Sequence, residues 1–199
     1  MTQFAANFIT SKTKELVPVM SDNRRQLLDW IEQDRDQLVA FFSGFLKAKS
    51  PNPPGDTRLA AAHIQAFLDK AGLPYRIEAP QETMPNIVGS FVGAAPGRHL
   101  VLNGHIDVFP EQEPVPGDRD QWSGDVEDGK VYGRGAADMK CGTSASIFTY
   151  AYLHRLKDEL KGTLTLTAVS DEETGGRWGT RYLMENFPDE VKGDCCLNG

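Results

Sequence analysis

The sequence predicts an α/β fold, in which a sheet of short strands carries helices on both faces in three layers. Apolar residues recur at helical spacing in several stretches, and short β-branched runs alternate with those stretches. Segments rich in Gly and Pro separate the two kinds of element. Helices that alternate with strands pack onto the faces of a sheet. With 199 residues, the chain is long enough for one domain with a real core.

The first half of the chain predicts two helices and then three strands. Residues 1–22 have weak periodicity and are expected to form an N-terminal arm, which leaves 23–199 for the domain. The breaker Ser50-Pro51-Asn52-Pro53-Pro54-Gly55-Asp56 separates the two helices, and Gly72 ends the second. Helices are expected over residues 23–49 and 57–70, and strands over 75–78, 86–91 and 99–106.

The second half begins with a loop over residues 110–129 that is rich in Pro, Gly and Asp and too long for a plain connector. Alternating Leu and Thr predict a strand over 163–170. The Cys195-Cys196 pair is interpreted as part of a buried strand rather than as a ligand or redox pair. Helices are expected over residues 139–160 and 178–187, and a last strand over 194–197.

Composition excludes several classes of partner. The net charge is −7 and no basic stripe is present, so neither nucleic acid nor an anionic membrane surface is an expected partner. No apolar run approaches the ~20 residues of a membrane-spanning helix. The three cysteines are odd in number and lack a disulfide spacing, which favours a reducing compartment, the cytoplasm.

Residues that can ligate metals stand where apolar runs end. His105 and Asp107 follow one run and would share a face of a continuing strand, so the Asp107 carboxylate could accept the second imidazole N–H; a structural His–Asp pair is the alternative. Asp138 follows a Gly-rich approach and could instead be the N-cap of the next helix. Glu172 and Glu173 follow a second run and could instead form a solvated acidic turn.

The combination is more informative than any one residue. Four carboxylates brought together would repel one another and raise their pKa values, and a cation would remove that repulsion. One imidazole with several carboxylates suits borderline and hard divalent cations. His63, His99 and His154 lie within helix or strand patterns and are interpreted as structural.

Three ordered motifs resemble the signatures of the M20 family of zinc metallohydrolases. Residues 102–110 read Leu-Asn-Gly-His-Ile-Asp-Val-Phe-Pro and are similar to the first signature. Residues 122–124 and 128–140, which end in Gly-Arg-Gly-Ala-Ala-Asp-Met-Lys, resemble the second. Residues 170–176, Ser-Asp-Glu-Glu-Thr-Gly-Gly, resemble the third. The family includes acetylornithine deacetylase, succinyl-diaminopimelate desuccinylase, aminoacylase and carboxypeptidase-type members.

The resemblance implies roles for five residues. His105 would bind one zinc ion, Asp138 would bridge two, and Glu173 would bind the other. Glu172 would be the general base that takes a proton from the attacking water, and Asp107 would orient His105. Cobalt could substitute for zinc. The resemblance also implies a cis peptide between Asp138 and Met139.

The resemblance therefore implies a zinc-dependent amidohydrolase that cleaves N-acyl amino acids, of the deacylase type. A dipeptidase or carboxypeptidase of the same family is one alternative, and a non-catalytic fragment or pseudoenzyme is another. Family members carry further acidic and histidine ligands and an inserted lid and dimerisation domain, which this sequence lacks. The chain is therefore expected to be the N-terminal part of the catalytic domain and inactive alone, with homodimerisation possible for the full-length parent.

Overall fold

A computed structural model describes residues 22–113 and 116–199. The expected N-terminal arm lies outside the described residues, apart from Asp22, which begins the first helix. The helices are α1 Asp22–Gln33, α2 Arg35–Lys47, α3 Arg58–Lys70, α4 Cys141–Arg155, α5 Thr180–Asn186 and α6 Pro188–Val191. The strands are β1 Arg76–Glu78, β2 Asn86–Val92, β3 Ala95–His105, β4 Val126–Glu127, β5 Lys130–Val131, β6 Lys161–Val169 and β7 Cys195–Asn198.

Five strands form one mixed sheet in the order β1-β2-β6-β3-β7. The central strands β3 and β6 are parallel, and their register pairs His105 with Val169, so both end at the same edge of the sheet. Strand β7 is parallel to β3 on the outer side, whereas β1 and β2 are antiparallel to their neighbours. Polar residues that follow β3 and β6 are therefore delivered to one place, where ligand sites collect in open α/β sheets.

Helices cover both faces of the sheet, which confirms the three-layer prediction. On one face, α2, α3 and α4 bury a large apolar cluster that includes Phe45, Ile64, Ile147 and Leu166. On the other face, α5 and α6 pack Leu183 and Val191 against strand residues. The strand residues Ile87 and Val88 belong to opposite clusters, since successive side chains of a strand point to opposite faces.

Two predicted helices have different bounds in the structure. The segment over 23–49 is two helices, because the chain turns at Asp34, whose carboxylate lies 3.4 Å from Arg155 of α4. The segment over 139–160 becomes α4 only at Cys141, after a tight turn over Ala136–Lys140. Tertiary contacts rather than sequence breakers set both boundaries.

The prediction that Cys195 and Cys196 are buried is wrong. Both are exposed, as are all residues of β7, because this strand is at the edge of the sheet and pairs only with β3. A prediction of burial from apolar sequence cannot tell an edge strand from a central one. None of the helices in the described part of the chain has the length and apolar character needed to cross a bilayer.

Candidate metal centre

His105 ends β3 and is held with one ring nitrogen turned toward the other candidate ligands. Its imidazole is buried, Nδ1 donates to the backbone carbonyl of Asp107 at 2.8 Å, and Nε2 lies 3.1 Å from Asp138 Oδ1. The expected acceptor was the Asp107 carboxylate, which is 3.5 Å from Nδ1; the backbone carbonyl of the same residue is closer. Burial lowers the pKa of His105, but the hydrogen bonds and charge of Asp107 outweigh it and raise the pKa to about 9.

Asp138 lies in the turn that precedes α4, and its carboxylate is 81% exposed toward the site. The N-cap alternative is wrong, because the N-cap position of α4 is Lys140 and no side chain caps the helix. The peptide between Asp138 and Met139 is cis, as the resemblance implied. The Asp138 carboxylate caps no helix and instead contacts the His105 imidazole.

Glu172 and Glu173 reach the site because the chain turns sharply after β6. Asp171 has a positive φ of 73°, and a short 3₁₀ turn over Glu172–Thr174 follows. Glu173 Oε1 accepts the N–H of Phe109 at 2.9 Å, and Glu172 Oε2 lies 3.6 Å from His105 Nε2. Without the turn, the two glutamates would point to opposite faces.

His105, Asp138 and Glu173 each offer one ligand atom, and these atoms all lie within 4.8 Å of one another. Partial burial and the neighbouring carboxylates raise the pKa of Glu173, against the opposing effects of His105 and the Phe109 N–H. A divalent cation would relieve that repulsion. An imidazole with two carboxylates is also a donor set that zinc accepts, so these residues fit the metal that the resemblance implies.

Asp107 connects the end of β3 to the glutamate turn. It is fully buried, and its carboxylate accepts the backbone N–H of Glu172 at 3.2 Å and of Glu173 at 3.1 Å. A third bond comes from Asn52 Nδ2 at 2.8 Å. Burial alone would raise the pKa of Asp107, but the nearby His105 imidazole and hydrogen bonds from Asn52 and Glu173 lower it, so the group is a buried carboxylate anion.

Asn52 and Asp171 belong to the site, and the sequence analysis did not identify either. Asn52 is 2% exposed, and its Nδ2 also lies 3.1 Å from Thr174 Oγ1 and 3.3 Å from Asp171 Oδ1. Asp171 in turn accepts the N–H of Trp178 at 2.9 Å and the hydroxyl of Thr174. The Pro-rich segment around Asn52 predicts only a helix break. The signal that could have identified Asn52 is its amide side chain within a segment that its prolines make rigid.

Lys140 is a further unpredicted residue, and it anchors the turn that carries Asp138. Its side chain is fully buried, and Nζ donates to the carbonyls of Phe45 at 2.8 Å and Ala48 at 2.7 Å, at the C-terminal end of α2. Burial lowers the pKa of Lys140 to about 7. A neutral amine still has two N–H groups, which suffice for both carbonyls.

A cavity of about 650 Å³ is lined by Asp138 and Glu173 of the donor cluster. Residues of the predicted loop over 110–129 also line it, and the end of that loop enters a small hairpin of β4 and β5. Asp128 and Gly129 form its turn, both with positive φ, as a two-residue hairpin turn requires. The cavity wall presents Arg119, Tyr132 and Arg134. The volume is typical of a small-molecule site.

A mixed α/β sheet with an imidazole and carboxylates at its strand ends is typical of metal-dependent hydrolases. The chain belongs to the peptidase family M20/M25/M40, whose family model matches residues 101–198. It is 31% identical over 163 residues to N-formyl-4-amino-5-aminomethyl-2-methylpyrimidine deformylase of Halalkalibacterium halodurans, covering 80% of this chain and 38% of that protein. It is 32% identical over 152 residues to succinyl-diaminopimelate desuccinylase of Wolbachia pipientis, covering 76% and 37%.

Solved structures agree on the fold. Human carnosine dipeptidase 1 superposes with a TM-score of 0.69 at 21% identity, covering 88% of this chain and 40% of that one. The dipeptidase Dug1p of Saccharomyces cerevisiae also gives 0.69, at 19% identity, covering 90% and 41%. The chain thus spans about two fifths of the length of the relatives it matches.

Proposed function

We propose that this chain supplies part of the active site of a zinc-dependent amidohydrolase that removes the acyl group from N-acyl amino acids. The observation that carries the proposal is the approach of His105, Asp138 and Glu173 ligand atoms to within 4.8 Å of one another, with Glu172 beside them. Membership of a peptidase family supports the same reaction class, cleavage of an amide C–N bond.

In this proposal, His105, Asp138 and Glu173 would hold the zinc, and the Asp138 carboxylate would be shared between two ions. Zinc, when bound, supplies a Lewis acid that polarises a carbonyl and acidifies water. Asp107 acts through its neighbours: its carbonyl holds the His105 ring, and its carboxylate holds the glutamate turn. It is a positioning residue rather than a group that touches substrate.

Glu172 is proposed as the general base. Its carboxylate is 58% exposed, lies 3.6 Å from His105 Nε2, and is not one of the three clustered donors, so it is available to accept a proton. It would take the proton of the attacking water and pass it to the leaving amine, which must be protonated to depart.

The deacylase type is proposed over a dipeptidase or carboxypeptidase. Curated relatives in the sequence comparison are named as a deformylase and a desuccinylase, whereas two structural neighbours are named as dipeptidases at about 20% identity. Identity above 30% carries more weight for reaction type than a shared fold does. The cytoplasmic location and the homodimer of a longer parent stay predictions.

Three donors are few for two metal ions. With Asp138 shared, each ion has two protein ligands among the described residues, whereas catalytic zinc normally has three and keeps one position for water. We therefore propose that this chain binds zinc weakly and is not a competent hydrolase by itself. A fragment that only binds metal is the alternative.

The test compares this chain with a version extended through the downstream reading frame of its gene. Both are loaded with zinc or cobalt and assayed on N-acetyl amino acids, N-succinyl amino acids and dipeptides. In the extended version, Glu172→Gln should abolish turnover while metal content is kept, and the exposed Glu82→Gln is the matched control that should change neither. Turnover that survives Glu172→Gln would refute the assignment of the base. Equal turnover by both lengths would refute the requirement for further ligands.

A further inference from the structure

Two arginines line the same cavity as Asp138 and Glu173, and their surroundings differ. Arg119 is fully engaged. Its guanidinium lies 2.8 Å from Asp125 Oδ2 and 2.5 Å from Glu127 Oε2, and it stacks 4.1 Å from the centre of the Tyr132 ring. Arg119 therefore serves to hold the hairpin and its loop together.

Arg134 has no such acidic partner. Its Nη2 donates to Gln121 Oε1, a neutral amide, and no ion pair among the described residues includes it. Gln121 is fixed in turn, because its Nε2 donates to the Gln112 carbonyl at 2.8 Å and its own carbonyl accepts the Arg134 backbone N–H at 2.6 Å. The guanidinium is thus oriented by a neutral scaffold that does not cancel its charge.

A guanidinium has five N–H donors in a planar fork, and the contact with Gln121 uses one of them. The fork matches a carboxylate in geometry and charge, and such bidentate pairs are among the stronger hydrogen-bonded contacts. Asp138 and Glu173 line the same cavity and are acidic, so a negatively charged group of a ligand is favoured beside Arg134 rather than beside them.

We propose that Arg134 is a specificity-determining residue that binds a carboxylate of the substrate while the scissile amide lies at the metal cluster. The inference rests on the proposed function, since it places the amide beside His105, Asp138 and Glu173. The carboxylate could belong to the acyl group, as in an N-succinyl compound, or to the amino acid. Both have the chemistry that Arg134 would recognise.

The experiment is a binding titration of the zinc-loaded chain, in which binding is measured by calorimetry and by NMR. N-methylsuccinamate carries its carboxylate on the acyl side and N-acetylglycine carries it on the amine side, while N-acetylglycinamide is the neutral control. Arg134→Gln should weaken binding of one carboxylate probe by about 10-fold or more and leave the neutral probe unchanged. The probe that responds identifies the source of the carboxylate. Arg134→Lys should be intermediate, because it keeps the charge without the fork.

Arg98→Gln removes an exposed arginine that does not line the cavity, and this control should leave the preference for carboxylates unchanged. The proposal is overturned if Arg134→Gln binds both carboxylate probes as tightly as the wild type does. It is also overturned if the variant weakens the neutral probe equally, or if the wild type prefers neither carboxylate. Zinc stoichiometry is measured on the same samples: absence of zinc binding would refute the proposed function, whereas carboxylate binding that depends on Arg134 in the zinc-free chain would leave this inference standing.

Discussion

Replacing Asn52 tests whether the Pro-rich loop helps to build the metal centre. In Asn52→Ala, the buried Asp107 carboxylate loses the 2.8 Å bond from Nδ2, and Thr174 loses its 3.1 Å contact. A hydrogen bond to a charged group contributes about 1.5–3 kcal/mol, and a neutral one about 0.5–1.5 kcal/mol. We therefore expect the free energy of unfolding to fall by about 2–4 kcal/mol, a large fraction of a typical 5–15 kcal/mol.

The same substitution should weaken metal binding. Asp107 holds the backbone N–H groups of Glu172 and Glu173, and Asn52 holds both Asp107 and Thr174, so the glutamate turn is fixed from two sides. With one side released, Glu173 samples positions away from His105, and the apparent zinc affinity should fall. Urea unfolding of the metal-free chain and competition with a chromophoric chelator measure the two effects separately.

Ser50→Ala is the matched control. Ser50 is equally buried in the same loop, and its hydroxyl donates to the Ile106 carbonyl at 2.7 Å, next to the same strand end, without contact to Asp107. It should cost about 1 kcal/mol of stability and leave zinc affinity unchanged. If Asn52→Ala and Ser50→Ala proved equal in both measurements, the positioning role of Asn52 would be refuted.

Further outcomes are expected at His105, Gly104 and Lys140. Zinc affinity measured by chelator competition should rise by about tenfold per pH unit up to about pH 9. The reason is that zinc must displace a proton from His105, whose pKa is about 9 in the metal-free chain despite burial. An affinity that does not change with pH would contradict this. The protonated His105 stabilises the metal-free fold below pH 6.5, and that contribution should disappear as the pH rises through 9. Gly104→Ala would place a Cβ 2.5 Å from Thr143 Oγ1, so thermal unfolding should show a loss of about 1–3 kcal/mol. Lys140→Met should lower the free energy of unfolding, because the Phe45 and Ala48 carbonyls lose their hydrogen-bond donor. Since burial lowers the Lys140 pKa from 10.5 to about 7, the wild type should gain stability relative to this variant between those pH values.

The fold was predictable because its signals are local and periodic. The β-branched alternation that predicts a strand over 163–170 is the central strand β6, and the helical spacing over 57–70 is α3. Where local signals ended, boundaries were missed: the turn at Asp34 has no Gly or Pro, and the exposure of β7 depends on its place in the sheet. Strand order is a tertiary property that no single segment encodes.

The candidate ligands could be proposed from the sequence, but the residues that position them could not. His105, Asp138 and Glu173 stand at ends of apolar runs, and their motifs are specific. The contacts of Asn52 and Lys140 depend on side chains that reach across the fold to Asp107 and to the end of α2. A buried lysine is unexpected from sequence, since lysine is rarely fully buried without partners, and its partners here are backbone carbonyls.

The candidate metal centre is built from four chain segments: the end of β3, the Asp138 turn, the turn after β6 and the Pro-rich loop. The ends of β3 and β6 bring His105 and Glu173 together because the two strands are parallel and in register. That closeness also brings carboxylates within reach of one another, which destabilises a metal-free site. Asp107 limits the cost of its own burial, because its carboxylate accepts hydrogen bonds from Asn52 and two backbone N–H groups. Asp138 and Asp107 still repel Glu173, and a cation can relieve that repulsion, so the same charges that destabilise the metal-free site favour metal binding.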